Sequence, residues 1–187
     1  MAPLDPGAVD ATQGGIWSPD GEWIVYGRAM PSTRDVQIVR IRPGSSGSSE
    51  VLATYSTSNV ESVRPPMAWS PAGEGILAVG RDGAYLMSPD YKTERKLTSR
   101  VFDANRMSFS KDGRQVLGMF RNTTGQGAEW QLYSIDVATG AEKLLAGVDL
   151  PVTTDDLRGF SLHPDGTRFL TSIAKWPFDI WMLEGFE

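Results

Sequence analysis

The chain has one histidine, His163, and any serine-based relay would have to be built on it. No Gly-x-Ser-x-Gly elbow accompanies it. A single imidazole cannot anchor a two-histidine metal site, and His163 stands where matching positions hold Ser18, Ser70 and Ser110, so a turn role is expected. There is no Walker phosphate loop and no dinucleotide glycine fingerprint, and Gly44-Ser45-Ser46-Gly47-Ser48 reads as loop composition. Three acids in one long stretch, Asp149, Asp155 and Asp156, could hold a hard cation such as calcium, although their spacing is not that of an EF-hand and solvated loop acids are common. The sequence therefore offers no catalytic residue, no cofactor and only these weak metal candidates.

Recognition is the other chemistry to test. Trp130, Trp176 and Phe178 fall outside the main repeat columns, and exposed aromatics at a loop face could form a binding patch. The competing reading is that they pack between adjacent units. Arg28 and Arg121 fall at or just past the end of the second strand of their units, and Arg81 follows it in another. With Arg64 and Arg158 they could gather toward one rim and attract an anion.

These residues are set on a repeat. A bulky apolar residue, a polar residue and a glycine-ended turn recur as Trp17-Ser18-Pro19-Asp20-Gly21, Trp69-Ser70-Pro71-Ala72-Gly73, Phe109-Ser110-Lys111-Asp112-Gly113 and Leu162-His163-Pro164-Asp165-Gly166. The glycines are 52, 40 and 53 residues apart, a period that signals a repeat architecture. Proline fixes φ at the first corner, aspartate bonds its own backbone, and glycine takes a positive φ, so Asp20, Gly21, Gly73, Asp112, Gly113, Asp165 and Gly166 are expected to shape hairpin turns.

Strand-like runs flank each turn. Ile24-Val25, Ile76-Leu77, Val116-Leu117 and Phe169-Leu170 open the second run of each unit; Met67 with Trp69, Met107 with Phe109 and Phe160 with Leu162 alternate in the first. A third run holds the matching columns Val39, Tyr85, Tyr133, Trp181 and Ile41, Met87, Ile135, Leu183. A fourth and more polar run, Glu50 to Ala53, Arg95 to Thr98 and Glu142 to Leu145, suits an edge strand that must resist pairing with strangers. Four strands per unit at this period describe an all-β β-propeller of four blades, at about residues 14–54, 66–98, 105–146 and 157–184, forming one domain over 1–187.

Composition agrees with a folded chain: 40% hydrophobic and 22% charged residues. The net charge of -5 argues against nonspecific nucleic-acid binding, which requires a basic surface. No apolar run is long enough for a membrane span, and the absence of cysteine removes disulfides and thiolate chemistry. No basic or apolar leader is visible at the N-terminus.

Ser-Pro-Asp-Gly followed by a buried strand, Asp179-Ile180-Trp181, and Arg95-Lys96-Leu97-Thr98 resemble the TolB-like propeller repeat, also called the WD40-like or PD40 repeat. The resemblance runs from about Gly14 to Phe186. It implies a bacterial, periplasmic or extracytoplasmic setting, while the repeats and the lack of catalytic groups point to a non-enzymatic scaffold that binds protein or peptide. The same blade also serves as an accessory or sensor propeller in larger kinases and peptidases, and a calcium-dependent propeller enzyme is a third option. The departures from the phrase, Ala72, Lys111 and Leu162, are read as ordinary drift. The fourth unit lacks its outer strand: residues 2–5 could complete it as a clasp that closes a four-bladed ring, open blade edges could let two chains join as a homodimer in an eight-bladed ring, or the chain could be an open part of a larger propeller with residues 2–5 the stump of another blade.

Overall fold

In the first and third copies the turn phrase starts a hairpin that its own side chains close. In a computed structural model of the protein, Ser18 N–H donates to Trp23 C=O at 2.8 Å and Gly21 N–H to Ser18 C=O at 2.9 Å. Asp20 then accepts from the Ser18 hydroxyl and from the Glu22 amide (2.9 Å), and Ser18 Oγ accepts from Trp23 N–H at 2.9 Å. Ser110 and Asp112 repeat the arrangement. The glycines of the first three copies lie at φ of 73°, 78° and 70°, where a Cβ is disfavoured.

The structure describes residues 10–11, 15–30, 32–33, 35–44, 49–56, 58, 63–100, 107–122, 129–148, 156–163 and 168–174. They form four antiparallel sheets in chain order. The first contains β1 (Asp10–Ala11), β2 (Ile16–Trp17), β3 (Ile24–Met30), β4 (Asp35–Ile41) and β5 (Glu50–Ser56). The second contains β6 (Pro66–Trp69), β7 (Ile76–Gly80), β8 (Gly83–Met87) and β9 (Glu94–Thr98). The third contains β10 (Met107–Phe109), β11 (Gln115–Asn122), β12 (Glu129–Asp136) and β13 (Glu142–Val148); the fourth pairs β14 (Asp156–Leu162) with β15 (Phe169–Ala174). The 2–5 clasp and the Trp181 strand of the fourth unit lie outside the described residues. Among the described residues no helix is long and apolar enough to cross a membrane.

Two features go beyond the periodicity. The first sheet's innermost strand is in two pieces: Asp10 and Ala11 face Ala29 and Arg28, while Ile16 and Trp17 face Val25 and Ile24, an offset of two residues. The register between third and fourth strands also shifts at one repeated place, after Ile38, Ala84 and Leu132. Each shift leaves a leucine unpaired in the outer strand, Leu52, Leu97 or Leu145. A bulge there twists the edge away from a neighbour's pairing groups.

The cores lie between sheets. Val25, Ile38, Ile76, Met87 and Tyr91 fill the space between the first and second, and Leu77, Val79, Phe109, Val116 and Ile135 that between the second and third. Innermost strands of successive sheets abut, β2 on β6, β6 on β10 and β10 on β14. Trp17 departs from its column: it is 56% exposed, because with Ile24 it occupies the face turned away from the second sheet. Leu77 is fully buried at a shared junction. Leu77→Ala is expected to cost about 2–4 kcal/mol, read as a lower urea midpoint with an unchanged slope.

The turns also carry a pH dependence. Hydrogen bonds from Ser18, Ser88 and Ser110 and from backbone amides hold the carboxyls of Asp20, Asp90 and Asp112 below the ordinary aspartate range. A carboxyl whose folded pKa is depressed adds stability above its unfolded pKa, and that stability disappears as pH falls through the folded pKa. Urea midpoints are therefore expected to be level above about pH 5 and to fall below about pH 4. Midpoints that stay level to pH 2.5 would contradict this.

Candidate functional site

Antiparallel connectivity divides each sheet into two ends. The turn between the first two strands and that between the third and fourth emerge at one end, the turn end; the middle hairpin and the crossing to the next sheet emerge at the other.

The sequence candidates fall mainly away from the turn end. Trp130 is 3% exposed and packs with Met119 against Phe160 and Phe169, between the third and fourth sheets. Its ring therefore lies at a junction between units. Arg28 lies across the first sheet, its Nε and Nη2 donating to Gln37 Oε1 at 3.0 and 2.8 Å and its Nη1 to Ser49 Oγ at 3.1 Å. Arg81 is exposed at the β7–β8 hairpin tip. Arg121 faces Trp130 in the β11–β12 ladder and Asp156 opens β14; their side chains, and the residues Asp149, Asp155, Asp165, Gly166, Trp176 and Phe178, lie outside the described set. Arg64 turns inward onto Tyr85, its guanidinium carbon 3.8 Å from the ring centroid. His163 occupies the turn slot: its N–H donates to Arg168 C=O at 2.8 Å, and its exposed ring meets Arg168 at 3.4 Å.

The turn end carries the concave surface. A cleft of about 350 Å³ opens between the first and second sheets, lined by Pro19, Trp23, Arg40, Trp69, Pro71 and Pro89. The guanidinium carbons of Arg40 and Arg42 lie 4.5 and 4.6 Å from the Trp23 ring centroid, and Arg40 pairs with Glu50 at 2.7 Å. Such stacking keeps a broad indole in a fixed orientation at the surface. A second cleft, about 530 Å³, opens between the second and third sheets against Glu74, Arg95, Asp112, Arg114 and Asp136. Several of its charges are committed: Arg95 donates to Val137 C=O, Asp112 closes its own turn, and Asp136 accepts from Thr139 at 2.8 Å. Bonds from Thr139 hold the Asp136 carboxyl below its ordinary pKa. Both volumes suit side chains or small ligands.

Sequence reasoning missed this face. Its one signal was Trp23, a tryptophan in the slot that Gly75, Gln115 and Arg168 fill in the other units. A fifth turn was missed too. Ser88-Pro89-Asp90-Tyr91 reproduces the phrase between β8 and β9, with Ser88 N–H donating to Thr93 C=O at 2.9 Å and the Ser88 hydroxyl to Asp90 at 2.6 Å. Tyr91 takes the left-handed position at φ 58° in place of glycine, because its ring is buried between the first two sheets and its hydroxyl donates to Arg64 C=O at 3.3 Å.

Solved structures place the architecture. TolB from Acinetobacter baumannii superposes with a TM-score of 0.59 at 19% identity, over 88% of this chain and 38% of its own. Oligogalacturonate lyase from Vibrio parahaemolyticus gives 0.64 at 10%, over 90% and 48%. The fold is that of the TolB-like β-propellers. A chain of the nidogen/laminin complex gives 0.61 at 11% identity, over 90% of the propeller and 58% of that chain. The propeller thus spans from about two fifths to just under three fifths of these chains. No family model and no curated relative matches its sequence.

Proposed function

We propose that this propeller is a non-enzymatic binding module that takes a protein or peptide segment at its turn end. The observation that carries the reading is the cleft between the first two sheets, where Trp23 is held under two guanidiniums beside Trp69 and three prolines. Oriented indoles and arginines are the residue types that dominate recognition patches. The neighbour from the nidogen/laminin complex, a propeller captured with a protein partner, supports the same reading.

A displayed random-peptide library panned on the purified chain tests it. Enriched peptides are expected to bind the wild type and to lose at least tenfold on Trp23→Ala, with the circular dichroism spectrum unchanged. No enrichment, or equal binding by the variant, would overturn the reading, as would turnover of a substrate that a point mutation abolishes.

A second reading, a propeller acting as the accessory or sensor part of a larger protein, is favoured by the length comparison, since the neighbours' chains extend well beyond the matched region. It calls for a partner domain to bind the propeller in trans, and a co-purification test with that domain decides it.

A further inference from the structure

The two clefts meet at a single residue. Ala72 lines both of them, so the clefts adjoin at the turn of the second blade. The neighbouring turn lies close by: a Cβ on Gly113 would sit 3.4 Å from Ser70 Oγ and 3.5 Å from Pro71 Cδ.

Ala72 is also where the turn phrase gives up its aspartate. In the first and third copies, and in the Ser88 turn, that aspartate accepts from the serine hydroxyl and from the amide two residues on. The second copy keeps the backbone bonds, Ser70 N–H to Gly75 C=O and Gly73 N–H to Ser70 C=O, both 2.8 Å, without the carboxylate clamp. The rule is kept at three described turns and broken at one, where the Trp69 indole N–H instead donates to Gly73 C=O at 3.4 Å. A local rule given up at one exposed turn is a place to look for a functional surface.

We infer that Ala72 is the saddle over which an extended peptide passes, setting a proline in the tryptophan cleft and a lysine or arginine in the second cleft. The inference rests on the turn end being the binding face. Aromatic-lined, shallow clefts accept prolines of an extended chain. In the second cleft Asp112 and Asp136 are tied to their own turns, whereas Glu74 makes no hydrogen bond or ion pair with any described residue. Its carboxylate is the group left to meet a basic side chain. The clefts flank one blade, and packed sheets lie about 10 Å apart, about three residues of extended chain, so proline and basic residue would be about two to five residues apart. An aspartate at 72 would put a charged side chain on the saddle.

The test is an array of twelve-residue peptides of serine and alanine, each with one proline pair and one arginine zero to six residues away, with glutamate-for-arginine controls. The full chain and its Ala72→Asp and Glu74→Lys variants are the labelled probes. The wild type is expected to bind arginine peptides at two to five residues' spacing. Ala72→Asp should lose at least tenfold while its urea midpoint stays at or above that of the wild type, since the restored clamp favours the turn. Glu74→Lys should prefer the glutamate controls. Peptides bound alike by all three proteins would overturn the path across Ala72 and leave turn-end binding standing. An array with no bound peptide would overturn this inference, and the library selection then decides the binding reading independently.

Discussion

Gly83→Ala is expected to abolish stable folding, or at least to lower the melting temperature by about 10 °C. Gly83 opens β8 after the tight β7–β8 hairpin, at φ 142°, a conformation that L side chains rarely adopt. A Cβ there would lie 2.0 Å from the carbonyl oxygen of Thr98 and 3.1 Å from Lys96 Cε. The first obstacle is backbone of the neighbouring strand, so relief requires moving β9 as a whole, and with it buried Leu97. Strain of about 1–3 kcal/mol and a main-chain clash combine to about 4 kcal/mol or more. At about 2–4 °C per kcal/mol for a chain of this size, the melting shift follows. Gly44→Ala is the control: φ is 79° but nothing lies within 4 Å of its Cβ, so the cost is about 1 kcal/mol. Thermal melts of equal size for the two variants would show that the close approach to Thr98 contributes nothing.

The fold was legible because a blade is written locally. The turn chemistry of Asp20-Gly21 and Asp112-Gly113 and the columns Ile41, Met87, Ile135 depend on residues within one unit, and all three column residues are buried. What escaped was a local signal in an unfamiliar form. The turn at Ser88-Pro89-Asp90 was hidden because Tyr91 holds the glycine position, where burial of its ring offsets the left-handed strain. The bulge leucines Leu52, Leu97 and Leu145 looked like ordinary strand residues, since a register shift is a relation between two strands. β1 carries no apolar alternation, and its place is set by pairing with β3.

The candidate site was less legible for a related reason. Both clefts lie between units, and the spacing within a unit says nothing about which residues two turns bring together. Ala72 was readable as a departure from the phrase, but only the meeting of the clefts gives the departure a consequence. Trp130 shows the converse: it stood out from the columns and proved to be packed between sheets.

Arg64→Ala is the second substitution with a large expected effect, about 2–3 kcal/mol. Arg64 lies in the crossing from the first sheet to the second, with its side chain 8% exposed. Its guanidinium covers the Tyr85 ring and pairs with Asp82 Oδ1 at 3.5 Å and Glu94 Oε2 at 3.7 Å. Arg100, in the next crossing, does the same for the third sheet, 4.0 Å from the Tyr133 ring centroid and 2.6 Å from Glu142 Oε2. Tyr85 and Tyr133 share one column, and Glu94 and Glu142 each begin the outer strand of their blade, so the arginines are repeated rivets that fasten a crossing to the blade it enters. The first blade has Val39 in that column and no basic residue before Arg28. Asp82 and Glu94 are about half exposed and can be rehydrated, so lost Coulomb attraction is the smaller part of the cost. Loss of a desolvated cation–π contact and of the buried stem is the larger part. Arg64→Lys keeps charge and length but not the planar stack, and should cost about half as much. The guanidinium also lies over Gly80, where an added Cβ would be 2.5 Å from Nη1. Gly80→Ala should therefore displace the same group, and the double variant should be less destabilised than the two single variants added together. Additive urea midpoints would instead assign Arg64 a role independent of its seat over Gly80 and Tyr85.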